Sequence, residues 1–237
     1  MDRYNTAYRA GTAAQTAEVD AGLRAYMLKV YNYMASGVVL TGIVAMLVSQ
    51  NQELMMSLFT GITRWFIMLA PFAFVIAMNF GAHKMKSSTL QAIFWAFSAT
   101  MGLSLSWILV IYTGESIART FFITAATFGA LSLYGYTTKK SLSGLGTFLF
   151  MGVIGILIAM VVNMFLQSPM MQYVISVIGV LVFAGLTAYD TQRIKESYYM
   201  MATGEAVAKG AIMGAVNLYL DFVNLFMFLL HFLGNRE

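Results

Sequence analysis

Residues Gly210–Gly234 read GAIMGAVNLYLDFVNLFMFLLHFLG, a run that is apolar enough to cross a membrane but carries Asp221 near its middle. A helix of about 20 predominantly apolar residues spans the hydrocarbon of a bilayer. A carboxylate inside such a helix costs roughly 2.5–3.5 kcal/mol on insertion, so it indicates a functional site. The alternative is a buried acid that hydrogen-bonds to an amide for packing alone.

The polar and small residues of this run share one face of a helix, which we call the polar stripe. At about 100° per residue, the stripe consists of Gly210, Gly214, Asn217, Asp221, Asn224 and His231, with Phe228 as its only bulky apolar member. The opposite face is made of Ile, Val, Leu and Phe. We expect the helix to turn the polar stripe into a bundle and its apolar face elsewhere.

The composition indicates a polytopic membrane protein. Of the 237 residues, 59% are hydrophobic and only 10% are charged, whereas a soluble domain has about 25% charged residues. The net charge of +4 does not indicate nucleic acid, because the basic residues lie in loops where membrane topology explains them. The chain has no cysteine, which excludes a disulfide framework, a thiol nucleophile and a cysteine-based metal site.

Hydropathy predicts seven membrane-spanning helices in a transmembrane domain of residues 23–237, preceded by a mobile cytoplasmic tail of residues 1–22. The predicted spans are Tyr33–Ser49, Trp65–Phe80, Leu90–Tyr112, Ile117–Tyr136, Leu145–Phe165, Met170–Tyr189 and Ala211–Leu233. The long polar loop Asp190–Lys209 is a candidate for a short amphipathic helix that lies on the membrane.

The distribution of lysine and arginine predicts the orientation. The tail and the second, fourth and sixth loops carry most of the 14 basic residues, and the opposite side has only Arg64, Arg119 and Arg236. Because positively charged loops stay in the cytoplasm, we expect a cytoplasmic N-terminus and a C-terminus outside.

A second acid, Asp190, ends the sixth predicted span in GLTAYDTQRIK, Gly185–Lys195. One loop joins the last two spans, so Asp190 and Asp221 can face each other in the cytoplasmic half. At about 1.5 Å per residue, Asp221 lies about 16 Å in from Gly210, whereas Asp190 is near the interface. The acids therefore meet only if the seventh helix enters the hydrocarbon late or the sixth is tilted or shifted inward. The alternative is that Asp190 caps its span and pairs with Arg193.

Two carboxylates in contact at low dielectric do not both ionise cheaply, so they share a proton and titrate as a pair. The protonated pair ties the two helices by a hydrogen bond, and the fully ionised pair either repels or binds a cation. Ca²⁺ prefers oxygen ligands, and Asp190, Asp221 and the side-chain oxygens of Asn217 and Asn224 offer a partial set. This constellation predicts a proton-sensitive gate in a cation path.

Three segments together resemble the Bax inhibitor family, also called the transmembrane Bax-inhibitor-motif family. They are FGALSLYGYTTKKSLSGLGTFLFMGVIG (Phe128–Gly155), GLTAYDTQRIK (Gly185–Lys195) and LYLDFVNLFMFLLHFLG (Leu218–Gly234). The resemblance extends from about Leu23 to Gly234 and implies an all-α bundle of seven helices with the seventh at the centre. It also implies a bacterial inner-membrane protein and a pH-sensitive Ca²⁺ leak governed by Asp190 and Asp221, with no other cofactor.

The resemblance further implies a basic latch to the aspartates at the inner end of the second helix. The matching segment here is GAHKMKSS, which makes Lys84 the candidate for the latch. Arg193, three residues after Asp190, is a second candidate. Lysine has less reach for bidentate pairing than arginine. Some family members carry an acid within the second span, but the corresponding APFAFVIAMNF of this chain has none.

A second class of function is contact regulation. The resemblance also implies, from other bacterial relatives, association with a membrane-bound ATP-dependent protease and its restraint, a role that needs no ion permeation. The tail of residues 1–22 is the natural site for such a contact. An enzyme is not expected, because Asp221 lies in LYLDF and not in the Gly-x-Gly-Asp setting of intramembrane aspartyl proteases. The expected partners are the bilayer, Ca²⁺, H⁺ and, for the alternative function, that protease.

Overall fold

The structure, a computed structural model, describes residues 2–235, with side chains described from residue 19 onward. This part of the chain is helical and contains no strand. The helices are α1 (Asp2–Ser49), α2 (Gln52–Phe59), α3 (Thr63–Gly81), α4 (Ser87–Leu105), α5 (Ile108–Ile111), α6 (Gly114–Thr137), α7 (Ser143–Leu166), α8 (Pro169–Tyr198) and α9 (Gly204–Leu233). The predicted all-α class is confirmed.

Seven stretches of these helices are long and apolar enough to cross a membrane, which confirms the predicted number. They are Val19–Ser49, Thr63–Gly81, Ser87–Ile111, Gly114–Thr137, Ser143–Leu166, Pro169–Tyr198 and Gly204–Leu233. Helices α4 and α5 together form the third span. Helix α2 is an additional short helix in the first loop, where the Asn51 side chain accepts a hydrogen bond from the Leu54 N–H.

The loop expected at Asp190–Lys209 is much shorter in the structure, and the amphipathic helix proposed for it is wrong. Helix α8 continues to Tyr198, and α9 already begins at Gly204. Residues 191–198 contain no proline or glycine, so nothing interrupts the helix when the apolar run ends. The polar residues after Asp190 thus lengthen α8 and do not form a separate surface element.

Helix α1 runs without a break across residue 22, where the sequence predicted the end of a tail. The mobility of residues 1–22 and the division of the chain at this point stay predictions. Residue 1, residues 236–237 and the side chains of residues 2–18 lie outside the described part.

Helix α9 lies at the centre of the bundle, as the resemblance implied, and packs against α1, α3, α4, α6 and α8. Its residues Ile212, Val216, Leu218 and Leu225 are at most 1% exposed. The expectation that its apolar face would lie outside the bundle is wrong, because the surrounding helices bury both faces.

A buried hydrogen-bonded group fixes the rotation of α9 against α1 and α4. The Thr41 hydroxyl donates to the Ser98 carbonyl oxygen at 2.8 Å, and the Tyr219 hydroxyl lies 2.6 Å from Thr41 Oγ1. Since Thr41 has one hydroxyl proton, Tyr219 is the donor in the second bond. Asp221 follows Tyr219 by about 200° around the helix, so this anchor directs Asp221 to the opposite side, toward α8.

Helices α6 and α8 approach so closely that their backbones touch at Gly135. A methyl group on Gly135 would overlap the backbone carbonyl of Ala188. Small residues allow such contacts between membrane helices. This contact positions α8 immediately before Asp190.

We expect Gly135→Ala to destabilise the protein by about 1–3 kcal/mol, the usual effect of overpacking, although alanine favours helix formation. Gly129→Ala is the matched control on the same helix, because a methyl group there meets open space. Thermal unfolding of the purified protein in detergent measures both variants. Equal Tm values for the two variants would contradict the backbone contact.

Candidate functional site

Helices α8 and α9 form an antiparallel pair whose register is visible in one aromatic contact. The rings of Phe183 and Phe228 stack with 5.6 Å between their centroids and an interplanar angle of 25°. Asp190 follows Phe183 by about two turns, and Asp221 precedes Phe228 by about two turns. Because the helices run in opposite directions, these steps bring the two acids to the same level.

The carboxyl groups of Asp190 and Asp221 lie within hydrogen-bonding range of each other. Asp221 is 4% exposed, whereas Asp190 is half-buried. The structure therefore brings together the two acids that the sequence singled out. Asp221 is buried inside the bundle, and Asp190 is partly accessible from outside it.

The prediction that Asp190 ends its helix is wrong. That prediction placed Asp190 and Asp221 at different depths, which made a contact between them difficult. Helix α8 continues past Asp190 for more than two turns, to Tyr198. Both acids are thus well inside the helical hairpin, and no late start of α9 is needed. The alternative that Asp190 serves as a helix cap is excluded by the same observation.

One oxygen of the pair, Asp221 Oδ2, is buried without a hydrogen-bond partner among the described residues. An unsatisfied buried polar atom costs about 1–3 kcal/mol, and more if it is charged. A shared proton, a water molecule or a cation relieves such a cost. Asp221 Oδ2 is therefore the atom of the site at which a cation or a hydrogen-bond donor would bind.

At Gly214, Asp221 and Phe228 the polar stripe of α9 faces α8, whereas the His231 ring packs against Tyr112. A methyl group on Gly214 would lie 3.1 Å from Ile194, and one on Gly179 would lie 2.5 Å from the Phe228 ring. Asn217 precedes Asp221 by one turn and is partly exposed. The two helices consequently enclose part of the stripe, and Asn217 stays partly accessible.

The second predicted amide, Asn224, donates from Nδ2 to the Leu220 carbonyl oxygen at 2.8 Å. Its side-chain oxygen receives no hydrogen bond from a described residue and remains an acceptor. If each carboxylate binds through one oxygen, two carboxyl groups and two amide oxygens supply about four of the roughly six to eight oxygens that Ca²⁺ takes. Among the described residues no group of three or more acidic or histidine side chains could hold a metal ion, so water must complete any Ca²⁺ shell here.

The two candidate latch residues are placed differently. Arg193 is exposed on α8, near enough to Asp190 for electrostatic attraction. Lys84 is exposed in the turn after α3, and within the described residues its side chain contacts neither aspartate. The latch role of either residue stays a prediction.

Sequence reasoning missed Gln192, which fixes α8 two residues beyond Asp190. Its Nε2 donates to the Lys140 carbonyl oxygen at 2.9 Å, and its Oε1 accepts from the Leu142 N–H at 2.7 Å. The connection between α6 and α7 is thereby held against α8. The polar residues that follow Asp190 were a signal for Gln192. If the helix continues, they lie on different sides of it, and one of them can face the neighbouring loop.

Comparison with known proteins matches residues 23–237 to the family described as inhibitor of apoptosis-promoting Bax1. The chain belongs to the Bax inhibitor family. The match includes the whole α8–α9 hairpin and therefore both aspartates.

Relatives of this Bax inhibitor family protein occur in several bacteria. An uncharacterised protein of Rickettsia prowazekii is 46% identical over 226 residues, which cover 95% of this chain and 96% of the relative. An uncharacterised protein of Caulobacter vibrioides is 44% identical over 250 residues, covering 100% of both chains. The inner membrane protein YbhL of Escherichia coli K12 is 45% identical over 222 residues, covering 92% of this chain and 94% of YbhL.

The similarity to YbhL and the seven apolar spans together support a multi-pass protein of the inner membrane. The predicted orientation, with the N-terminus in the cytoplasm and the C-terminus outside, stays a prediction.

We expect the two acids to be energetically coupled in this family member. A double-mutant cycle with Asp190→Asn and Asp221→Asn should give an interaction free energy of about 0.5–3 kcal/mol in unfolding experiments, the range for residues in contact. The control cycle combines Asp221→Asn with Glu115→Gln, which alters an exposed acid in the first turn of α6. The control effects should add to within about 0.3–0.5 kcal/mol. Additivity in both cycles would argue against contact between the acids.

Proposed function

We propose that this protein is a pH-sensitive calcium leak of the inner membrane, gated by Asp190 and Asp221. The observation that carries the proposal is the contact between the two acids across the α8–α9 interface, with one oxygen of Asp221 buried and unsatisfied. Two carboxylates placed in this way cannot both be charged unless a cation neutralises them or the helices separate. Proton occupancy of the pair thereby controls how firmly α8 is held to α9.

Protons and Ca²⁺ compete for the same oxygens in this proposal. When the pair holds a proton, one carboxyl group donates to the other and the helices are tied. When the proton leaves, two negative charges remain in contact and attract a divalent cation. Because Ca²⁺ binding then displaces protons, its apparent affinity for the pair rises with pH.

The surroundings of the pair support an approach from one side. Asp190 is half-buried and Asn217 is partly exposed, so polar atoms lead from the surface to Asp221. In the other direction a cation would meet the buried apolar side chains of Leu225, Phe228 and Leu229. Passage therefore requires α8 and α9 to move apart at Phe228, whose ring now packs against Gly179.

The proposal predicts a Ca²⁺ flux that changes with pH and depends on both acids. Purified protein is reconstituted into liposomes that contain a Ca²⁺-sensitive dye, and Ca²⁺ uptake is recorded over a series of pH values, because a coupled pair of acids loses its protons in two separate steps. Asp190→Asn and Asp221→Asn should each flatten the pH dependence, because asparagine has no titratable proton. Glu115→Gln is the matched control and should behave like the wild type.

Two results would count against the leak. Flux that responds to pH equally in the wild type and in both aspartate variants would remove the pair from the gate. No flux above that of empty liposomes, with protein that unfolds cooperatively, would remove the leak itself.

A second candidate function is regulation by contact of a membrane-bound ATP-dependent protease. The apolar layer of Leu225, Phe228 and Leu229 favours it, because a bundle packed in this way can act without conducting ions. In this role the aspartate pair sets the conformation of α8 and α9. Deletion of residues 1–22 should then abolish co-purification with the protease, whereas it should leave any Ca²⁺ flux intact.

A further inference from the structure

A lateral groove of about 430 Å³ lies between α1 and α6. Both helices pack on α8 and α9, and the residues that line the groove belong to α1 and α6. Leu28 and Leu133 line it and are 53% and 63% exposed, so the groove opens sideways where the protein faces lipid. Its volume falls within the range of about 300–1,000 Å³ that is typical of ligand sites.

The length of the groove matches one leaflet. It extends from Arg24 to Tyr31 on α1 and from Phe128 to Tyr136 on α6, which corresponds to about 10–12 Å along each helix. The hydrocarbon of one leaflet is about 15 Å thick, half of the bilayer core of about 30 Å. A groove of this length accommodates most of one acyl chain.

Gly129 leaves the groove open at its Phe128 end, away from Arg24 and Tyr136. A methyl group at this position would meet no atom within 4 Å, so the glycine is not required for helix contact. Its neighbours in the groove are apolar, with Phe128 and Leu133 on the same helix and Met27 on α1. This part of the groove therefore suits a hydrocarbon ligand.

The end of the groove near Arg24 and Tyr136 is cationic. Arg24 is exposed and forms no ion pair with any of the side chains described from residue 19 onward. Lys195 Nζ lies 2.7 Å from the Tyr136 carbonyl oxygen and 5.3 Å from the centroid of its ring. Two positive charges thus flank the end at which a lipid headgroup would lie.

We propose that the groove binds one acyl chain of an anionic phospholipid, with its phosphate beside Arg24 and Lys195. Basic pockets between membrane helices recognise anionic headgroups in this way. The proposal is independent of the proposed leak, because lipid binding requires no ion flux.

The bound chain would contact Ser132, which adjoins the helix that carries Asp190. Ser132 lines the groove, and its Oγ lies 3.3 Å from Thr191 Oγ1, within hydrogen-bonding distance. Thr191 directly follows Asp190 in α8. An occupied groove is therefore expected to hold α8 in its present position.

Native mass spectrometry of the detergent-purified protein tests the proposal by counting retained lipids. Phosphatidylglycerol and phosphatidylethanolamine with identical acyl chains are offered separately, and the wild type should retain the anionic lipid in preference. Gly129→Leu should weaken retention about tenfold, the factor expected when about two methylene groups of the chain lose their burial. Gly155→Leu is the matched control, since it makes the same change at an exposed glycine of α7 that also faces open space.

Arg24→Gln tests the cationic end separately at an exposed position that does not affect folding. It should weaken retention of phosphatidylglycerol about fivefold, because a basic residue near anionic lipid contributes about 1 kcal/mol. It should weaken retention of phosphatidylethanolamine less, because the ammonium group of that lipid offsets the charge of its phosphate. Lys29→Gln, an exposed position on α1 outside the groove, should have no effect on either lipid.

Three results would overturn the proposal. The first is equal retention of both lipids by the wild type, and the second is an equal loss in Gly129→Leu and Gly155→Leu. The third is a dimer that Gly129→Leu dissociates without a change in lipid retention, which would identify a second copy of the chain as the occupant. Tm values recorded for every variant separate loss of binding from loss of fold.

Discussion

The buried carboxyl group of Asp221 is the constraint on which the rest of the bundle depends. An acid in an apolar interior must have a partner, because neither lipid nor aliphatic side chains can solvate it. Asp190 supplies that partner only if α8 has the right register, rotation and depth. The stacked rings of Phe183 and Phe228 show the register, and the backbone contact at Gly135 brings α8 close. The Tyr219 hydroxyl, anchored on α1, orients α9 from its opposite side.

Much of this architecture could be predicted from the sequence because the bilayer imposes strict requirements. A helix must satisfy its own backbone in hydrocarbon, so long apolar runs identify the spans reliably. Asp221 could be recognised as a candidate functional residue, because a carboxylate in such a run seldom has a purely structural role. The burial of the apolar face of α9 was not predictable. Side chains such as Ile212 and Val216 pack equally well against lipid tails and against another helix, because both are apolar. Hydropathy does not distinguish the two environments.

The remaining errors have a common physical origin. Hydropathy reports where hydrocarbon ends, but a helix ends where its backbone is interrupted, and α8 therefore continued beyond Asp190 to Tyr198. Contacts such as those between Thr41 and Tyr219 or between Gly135 and Ala188 join residues far apart in the chain. Such pairs leave no local pattern, because a threonine or glycine in a membrane helix has the same appearance whether or not it meets a partner.

The central position of α9 has a consequence for biosynthesis. Within residues 2–235 this helix is the last in chain order, and membrane helices leave the ribosome in sequence order. Until α9 is inserted, the faces of α1, α4, α6 and α8 that will contact it have no permanent neighbour. The earlier helices of the nascent protein therefore lack their common neighbour, and the bundle is complete only when the span that carries Asp221 is inserted.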